Sequence, residues 1–182
     1  MSTNGHIIFY DEHEKITLYK HWDGYPTDTL EVIAKTILEV NSLSDKDLRI
    51  ESQRDLLHIF TGKIIGVGTT KYGAGIKLDA KVHDSKSSFE DILESRVGRS
   101  DSWAYLINPF LQNINVLQTN GEFDHRQKKI GEKGFVYTNP LRYLAYLMED
   151  YQEFERKIIQ ASLEKIEALS WTVNEQKPSS LF

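Results

Sequence analysis

The chain has 182 residues, a formal net charge of −5 from 22 basic and 27 acidic side chains, and no cysteine. That length suits one domain. The missing cysteines exclude disulfides, thiolate zinc sites and cysteine nucleophiles, and the mild acidity gives no basis for sequence-independent binding to phosphate backbones, which needs clustered Lys and Arg.

Hydrophobic residues make up 40% of the chain, well above a disordered composition. The start, Met1-Ser2-Thr3-Asn4-Gly5, lacks the charged opening and apolar run of a signal peptide. No apolar run approaches the ~18 residues that span a bilayer. The expectation is a cytoplasmic protein that makes no membrane contact.

Taken in order, residues 6–10 and 15–22 read as two strands joined by the short polar turn Asp11-Glu12-His13-Glu14, a hairpin. In the second strand Ile16, Leu18, Lys20 and Trp22 share the core face, and Thr17, Tyr19 and His21 the other. Leu30, Ile33, Ala34, Ile37 and Leu38 recur at helical spacing, with Pro26 at the entry and Asp28 as the expected N-cap. A second helix is predicted over about Gln53 to Ile64, followed by a glycine-rich stretch read as a flexible loop. Ile76, Leu78, Ala80 and Val82 alternate as in a strand, and Ser88 with Asp91 caps a short helix.

Trp103–Asn108 and Asn113–Thr119 form a second hairpin candidate around Pro109, and Asn120–Gly134 reads as a charged loop. Asn139-Pro140 then starts a long helix, with an apolar stripe running from Leu144 through Tyr151, Phe154 and Ile158 to Leu169. Unbroken over about 140–170 it would reach ~45 Å, more than a small sheet needs, so its far half is expected to pack on a partner. Residues 173–182 read as a disordered tail. The fold expected is α+β: antiparallel hairpins forming a sheet covered by helices, in one domain over 1–172, with a long C-terminal helix.

The densest cluster of chemistry is Lys20-His21-Trp22-Asp23-Gly24-Tyr25-Pro26, at a strand-to-helix junction. His21 and Asp23 are two apart and share a face. A carboxylate that orients an imidazole is the core of general-base arrangements. Equally, Asp23-Gly24 is a favoured turn pair, and a His–Asp hydrogen bond can pin a corner while Trp22 and Tyr25 fill the core. With the preceding Leu18-Tyr19, this segment resembles the I-Y-x-H-W-D-G-Y-P signature of a group of uncharacterised phage, prophage and bacterial proteins. The resemblance covers the first 38 residues, with an echo in Ser88–Ser95 and Trp103–Ile107. Asp28-Thr29 replaces the Gly-Val usual in that group, and the long C-terminal helix is an addition. The resemblance implies a fold and a mobile-element setting, and no catalytic role.

The run Gly66-Val67-Gly68-Thr69-Thr70-Lys71-Tyr72-Gly73-Ala74-Gly75 has the glycines of a phosphate cradle, with Lys71 as an anion anchor. It fails the P-loop spelling, since Ala74-Gly75 follows Gly73, and it fails the dinucleotide spelling, since Lys71 stands at the third glycine. The histidines His6, His13, His58, His83 and His125 form no close ligand pair and read as solvated surface groups; no metal site is expected. Arg126, Lys128, Lys129 and Lys133 lie among Glu122, Asp124 and Glu132, a net charge of 4 − 3 = +1, which argues against nucleic acid.

The leading expectation is a non-catalytic binding protein, a phage or mobile-element accessory factor, that uses its C-terminal helix for a protein partner or a homodimer. The rival is a small hydrolase acting on a phosphorylated or nucleotide ligand, with His21 as base and Asp23 as its orienter. The ligand-binding candidates are His21, Trp22, Asp23, Tyr25 and Lys71.

Overall fold

The computed structural model describes residues 4–20, 24–43, 53–72, 76–84, 86–94, 102–123 and 129–175. The first hairpin is β1 (Asn4–Tyr10) and β2 (Glu14–Lys20). Helices α1 (Pro26–Asn41) and α2 (Gln53–Tyr72) follow, then β3 (Ile76–Asp84) and the short α3 (Phe89–Glu94). The second hairpin is β4 (Ser102–Asn108) with β5 (Asn113–Phe123), extended by β6 (Lys129–Tyr137). A 3-10 helix (Pro140–Tyr146), α4 (Glu149–Ala168) and β7 (Thr172–Asn174) complete the chain.

Both hairpins belong to one sheet, in the order β3-β2-β1-β4-β5-β6, with β7 also paired to β5. Most pairings are antiparallel, as the hairpin reading requires. The join between the hairpins is not: β1 and β4 run parallel, in register from Asn4 with Ser102 to Phe9 with Ile107. A parallel neighbour needs a long crossover, and here α1, α2, β3 and α3 supply it.

Alternation along the strands makes two faces. Ile7, Phe9, Ile16, Leu18, Trp103, Tyr105, Ile107, Ile114 and Val116 point into the larger core, beneath α1, α2, α4 and the 3-10 helix. Ile8, Tyr10, Ala104, Leu106 and Leu117 point to the other face, where Phe89, Ile92 and Leu93 of α3 cover them. Each hairpin turn is closed by a side chain. Asp11 Oδ1 accepts from the backbone N–H of His13 (2.7 Å) and Glu14 (2.8 Å). Asn108 Oδ1 does the same for Phe110 (3.1 Å) and Leu111 (2.9 Å). These are Asx turns, in which the side chain replaces a missing backbone partner. The Ser88 cap is present too: its Oγ accepts from Asp91 N at 3.0 Å.

Several expectations are corrected. The N-cap of α1 is Tyr25, with Pro26 in the first turn and Asp28 inside that turn; the proline has already fixed the helical φ two residues earlier. Helix α2 does not stop at Ile64, and Gly66 and Gly68 are helical rather than part of a loop. Leu57, Phe60, Ile64 and Val67 form one buried stripe, and burying it outweighs roughly 1 kcal/mol per helical glycine. The charged loop over 120–134 is instead mostly ladder, since β5 runs to Phe123 and β6 starts at Lys129. Backbone pairing there needs no apolar alternation.

The long helix over 140–170 is two pieces. The first is a 3-10 helix capped by Asn139, whose Oδ1 accepts from Leu141 N at 2.8 Å. Leu147 and Met148 are then extended, with ψ of 152° and 147°, and α4 begins afresh at Glu149. The tail expected from residue 173 starts as strand: β7 pairs with β5 from Asn113 with Thr172 to Asn115 with Asn174.

A Cβ on Gly62, an exposed position of α2, would meet nothing within 4 Å. Gly62→Ala therefore removes unfolded-state freedom at no steric cost. It is expected to raise stability by about 0.5–1 kcal/mol in urea denaturation.

Candidate functional site

Of the signature, His21, Trp22 and Asp23 lie outside the described residues. The segment that follows them is tied to the core at three points. Tyr105 Oη donates to the Gly24 carbonyl at 2.9 Å. Tyr25 stacks on Tyr143, ring centroids 4.6 Å apart, and Tyr143 in turn meets Trp103 edge-on at 6.2 Å. Thr27 Oγ1 donates to Glu155 of α4. The ring of Tyr25, a ligand-binding candidate from the sequence, is thus a packing partner of Tyr143. Burial holds the Tyr105 phenol far above its ordinary pKa, partly offset by a hydrogen bond with Thr29. Lys71 sits in the last turn of α2, and its side chain lies outside the described residues.

The histidines divide. His6 is buried on β1, its ring 5.4 Å from Tyr19, so it is not a solvated surface group. His58 belongs to a cluster that sequence reasoning did not assemble. Glu14, at the start of β2, is the centre: its Oε1 lies 2.6 Å from His58 Nε2 and accepts from Arg54 Nε at 3.2 Å. Its Oε2 accepts from the Arg54 Nη2 at 3.2 Å. The Glu14 side chain is 7% exposed, against 61% for Arg54 and 52% for His58. Arg54 and His58 stand four apart on α2, on one helix face. That i, i+4 spacing was legible; the acid forty residues away was not. A buried carboxylate with a bidentate guanidinium and an imidazole is a charge-assisted network, and it holds the first turns of α2 to the corner of the hairpin. Among the described residues no group of three or more His, Asp or Glu is placed to hold a metal ion.

On the sheet face beneath α3, Lys15 Nζ sits 5.0 Å over the Phe89 ring, and burial lowers its pKa, partly offset by Asp84 and Asp11. Two tyrosines share this face. Burial pushes Tyr10 up to about 12, against a lowering hydrogen bond from Asn108. Burial also pushes Tyr137 up to about 12, helped by the charges of Glu90 and Tyr10. Below pH 10 both phenols are protonated folded and unfolded, so neither makes stability depend on pH. Between about 10 and 12 the unfolded chain releases protons that the native state keeps. Stability is therefore expected to fall across that window, by up to about 1.4 kcal/mol per pH unit for Tyr10 and by less for the half-buried Tyr137, whose site water screens. Urea midpoints measured across that window, beside Tyr137→Phe, check this; the variant should show the shallower fall.

Large apolar side chains gather at the start of α4. Tyr146, Met148, Tyr151 and Phe154 are 56%, 69%, 56% and 63% exposed. The far half of the helix behaves oppositely: Ile159, Ser162 and Ile166 are buried in the chain's own core. The expectation that the far half would project toward a partner is reversed, and the near half carries the uncovered face. No helix among the described residues is long and apolar enough to cross a membrane.

No family model, no curated protein and no solved structure matches the chain.

Proposed function

We propose that this protein is a non-catalytic interaction protein that pairs with a second copy of itself through the first half of α4 and the residues just before it. The observation that carries the reading is the exposed row Tyr146, Met148, Tyr151 and Phe154. Three bulky aromatics and a methionine on one short stretch are the composition of interface cores.

The occupant follows from charge. Glu149 and Asp150 lie within the row, between Met148 and Tyr151, and Arg156 and Lys157 follow Phe154, whose flanking acids are engaged in their own chain, Glu153 by Lys157 and Glu155 by Thr27. In an isologous pair, with the two-fold axis beside Phe154, the helices run antiparallel. Lys157 of each copy then lies against Asp150 and Tyr151 of the other, acidic end to basic end. Lys157 also contacts Glu153 of its own helix at 3.3 Å, but both groups are about 70% exposed, so that pair is worth little and leaves the lysine available. An accessory role in a mobile element, the setting implied by the signature, is compatible with a paired adaptor of this kind.

The interface is small, about 1,200 Å² or less in total, so association in the micromolar range is expected. Sedimentation equilibrium should show a monomer–dimer equilibrium, with Phe154→Glu weakening it at least tenfold and leaving the urea midpoint unchanged. Asp150→Lys and Lys157→Glu should each weaken it, and the double reversal should restore it. A chain that stays monomeric up to about 1 mM bounds association near −4 kcal/mol and rejects the proposal.

A further inference from the structure

The geometry points to His58 as a phosphoryl-acceptor site, a function independent of the α4 face and located at the opposite kind of surface, a charged corner. Because Glu14 Oε1 lies 2.6 Å from His58 Nε2, that nitrogen carries the ring proton and donates it to the carboxylate. The tautomer of the neutral ring is thereby fixed, with its lone pair on Nδ1. The side chain is half exposed, and among the described residues nothing hydrogen-bonds to Nδ1.

The surroundings suit the product. A phosphoryl group brings about −2 charge and three strong acceptor oxygens. Arg54 stands one turn back on the same helix face. Two of its five N–H donors are on Glu14, which leaves three in the guanidinium plane. Glu14 and, beside Arg54 in the first turn of α2, Asp55 are the opposing charges; of the two, Glu14 is the one hydrogen-bonded to the ring of His58. Glu14 is buried and paired with Arg54, and it lies on Nε2, the ring nitrogen away from the reacting Nδ1.

The step is a transfer from a small phosphoramidate. The Nδ1 lone pair attacks phosphorus and an N–P bond forms. The donor reacts as its zwitterion, with the nitrogen already protonated, so when its P–N bond breaks the nitrogen leaves as neutral ammonia with the electron pair. The ring keeps its Nε2 proton, and the positive charge it gains is held against Glu14.

His13 is the internal reference. It is 62% exposed and lies 3.2 Å from the exposed carboxylate of Glu12, but among the described residues neither a buried carboxylate nor a guanidinium contacts its ring. The full chain is incubated with potassium phosphoramidate, and acid-labile phosphoryl is followed by phosphorus NMR and located by peptide mass spectrometry at neutral pH. Phosphoryl should appear on His58 at least about tenfold faster than on His13, and the fast phase should vanish in His58→Gln. Glu14→Gln, a positioning change, should slow it about tenfold, the worth of one charge-assisted hydrogen bond. Nitrogen-15 NMR should then show a ring that populates both tautomers. Equal rates at His13 and His58 overturn the inference. So does an unchanged rate in Glu14→Gln with a folded near-UV spectrum. Should Glu14→Gln unfold, Arg54→Gln takes its place; a rate unchanged by it would likewise overturn the assigned role of the cluster.

Discussion

Trp171→Ala is expected to cost about 3–5 kcal/mol, the range for emptying the site of a buried tryptophan, out of a total of roughly 5–15 kcal/mol for a domain of this kind. The residue lies just beyond α4, and the backbone aims it inward. Ser170 takes the left-handed conformation (φ 66°). Ser170 N–H then bonds to Glu167 O at 2.9 Å and Trp171 N–H to Ile166 O at 3.2 Å. This is the paired closure of a Schellman motif, with the apolar residue after the turn packing back on the last helical turn. The indole is buried, with its ring 5.4 Å from Phe60 of α2, so one side chain locks the last helix to the second. The next residue begins β7, where Thr172 N–H donates to Gln112 O at 3.0 Å. Removing the indole therefore opens a cavity and loosens the strand that follows. Urea denaturation measures the loss, and hydrogen exchange at Val173 and Asn174 should accelerate with it. A cost below about 1.5 kcal/mol would mean that the site collapses freely and that the C-terminal segment is no part of the core.

What the sequence disclosed was local. The Ser88–Asp91 cap, the two hairpins and the α1 stripe each depend on residues within a few positions of one another, and periodicity reports such contacts directly. The α+β class followed from them. The parallel join of β1 and β4 did not, because it is decided by which edges meet after roughly a hundred residues of crossover; no spacing in either strand encodes its neighbour. The extension of α2 through Gly66 and Gly68 was hidden for a different reason: glycine carries the wrong local preference, and Ile64 and Val67 overrule it only once a core exists to receive them. The break at Leu147-Met148 has neither glycine nor proline to announce it. The Glu14–Arg54–His58 cluster was half visible. Two groups at helical spacing pointed to one face, but the acid that gives them a role arrives from another element. Tyr25 was singled out for ligand binding on its company in the signature; its stacking on Tyr143 became visible only when residue 143 was placed beside it.

Gly5→Val is expected to cost about 3 kcal/mol or more, and Gly5→Ala about 1–2 kcal/mol, through overpacking rather than through backbone conformation. A Cβ at Gly5 would stand 2.9 Å from the Gly24 Cα and 3.5 Å from both the Gly24 carbonyl oxygen and the Lys20 Cβ. The contact is with backbone, so no rotamer relieves it. Strand β1 cannot yield either, since Gly5 is in register with Lys20 on one side and Trp103 on the other. The strain must pass to Gly24, whose carbonyl accepts the buried Tyr105 hydroxyl and whose neighbour Tyr25 is stacked on Tyr143. Pushing that corner away stretches a buried hydrogen bond, for which about 1–3 kcal/mol is at stake. The prediction is thus graded and has a spectroscopic partner: denaturation midpoints fall in the order wild type, Gly5→Ala, Gly5→Val, and the near-UV signal of the tyrosines shifts in the same order. If both variants are as stable as wild type, the Gly24 corner moves at no cost. The corner at Gly24 would then be a compliant element of the fold, not a rigid one.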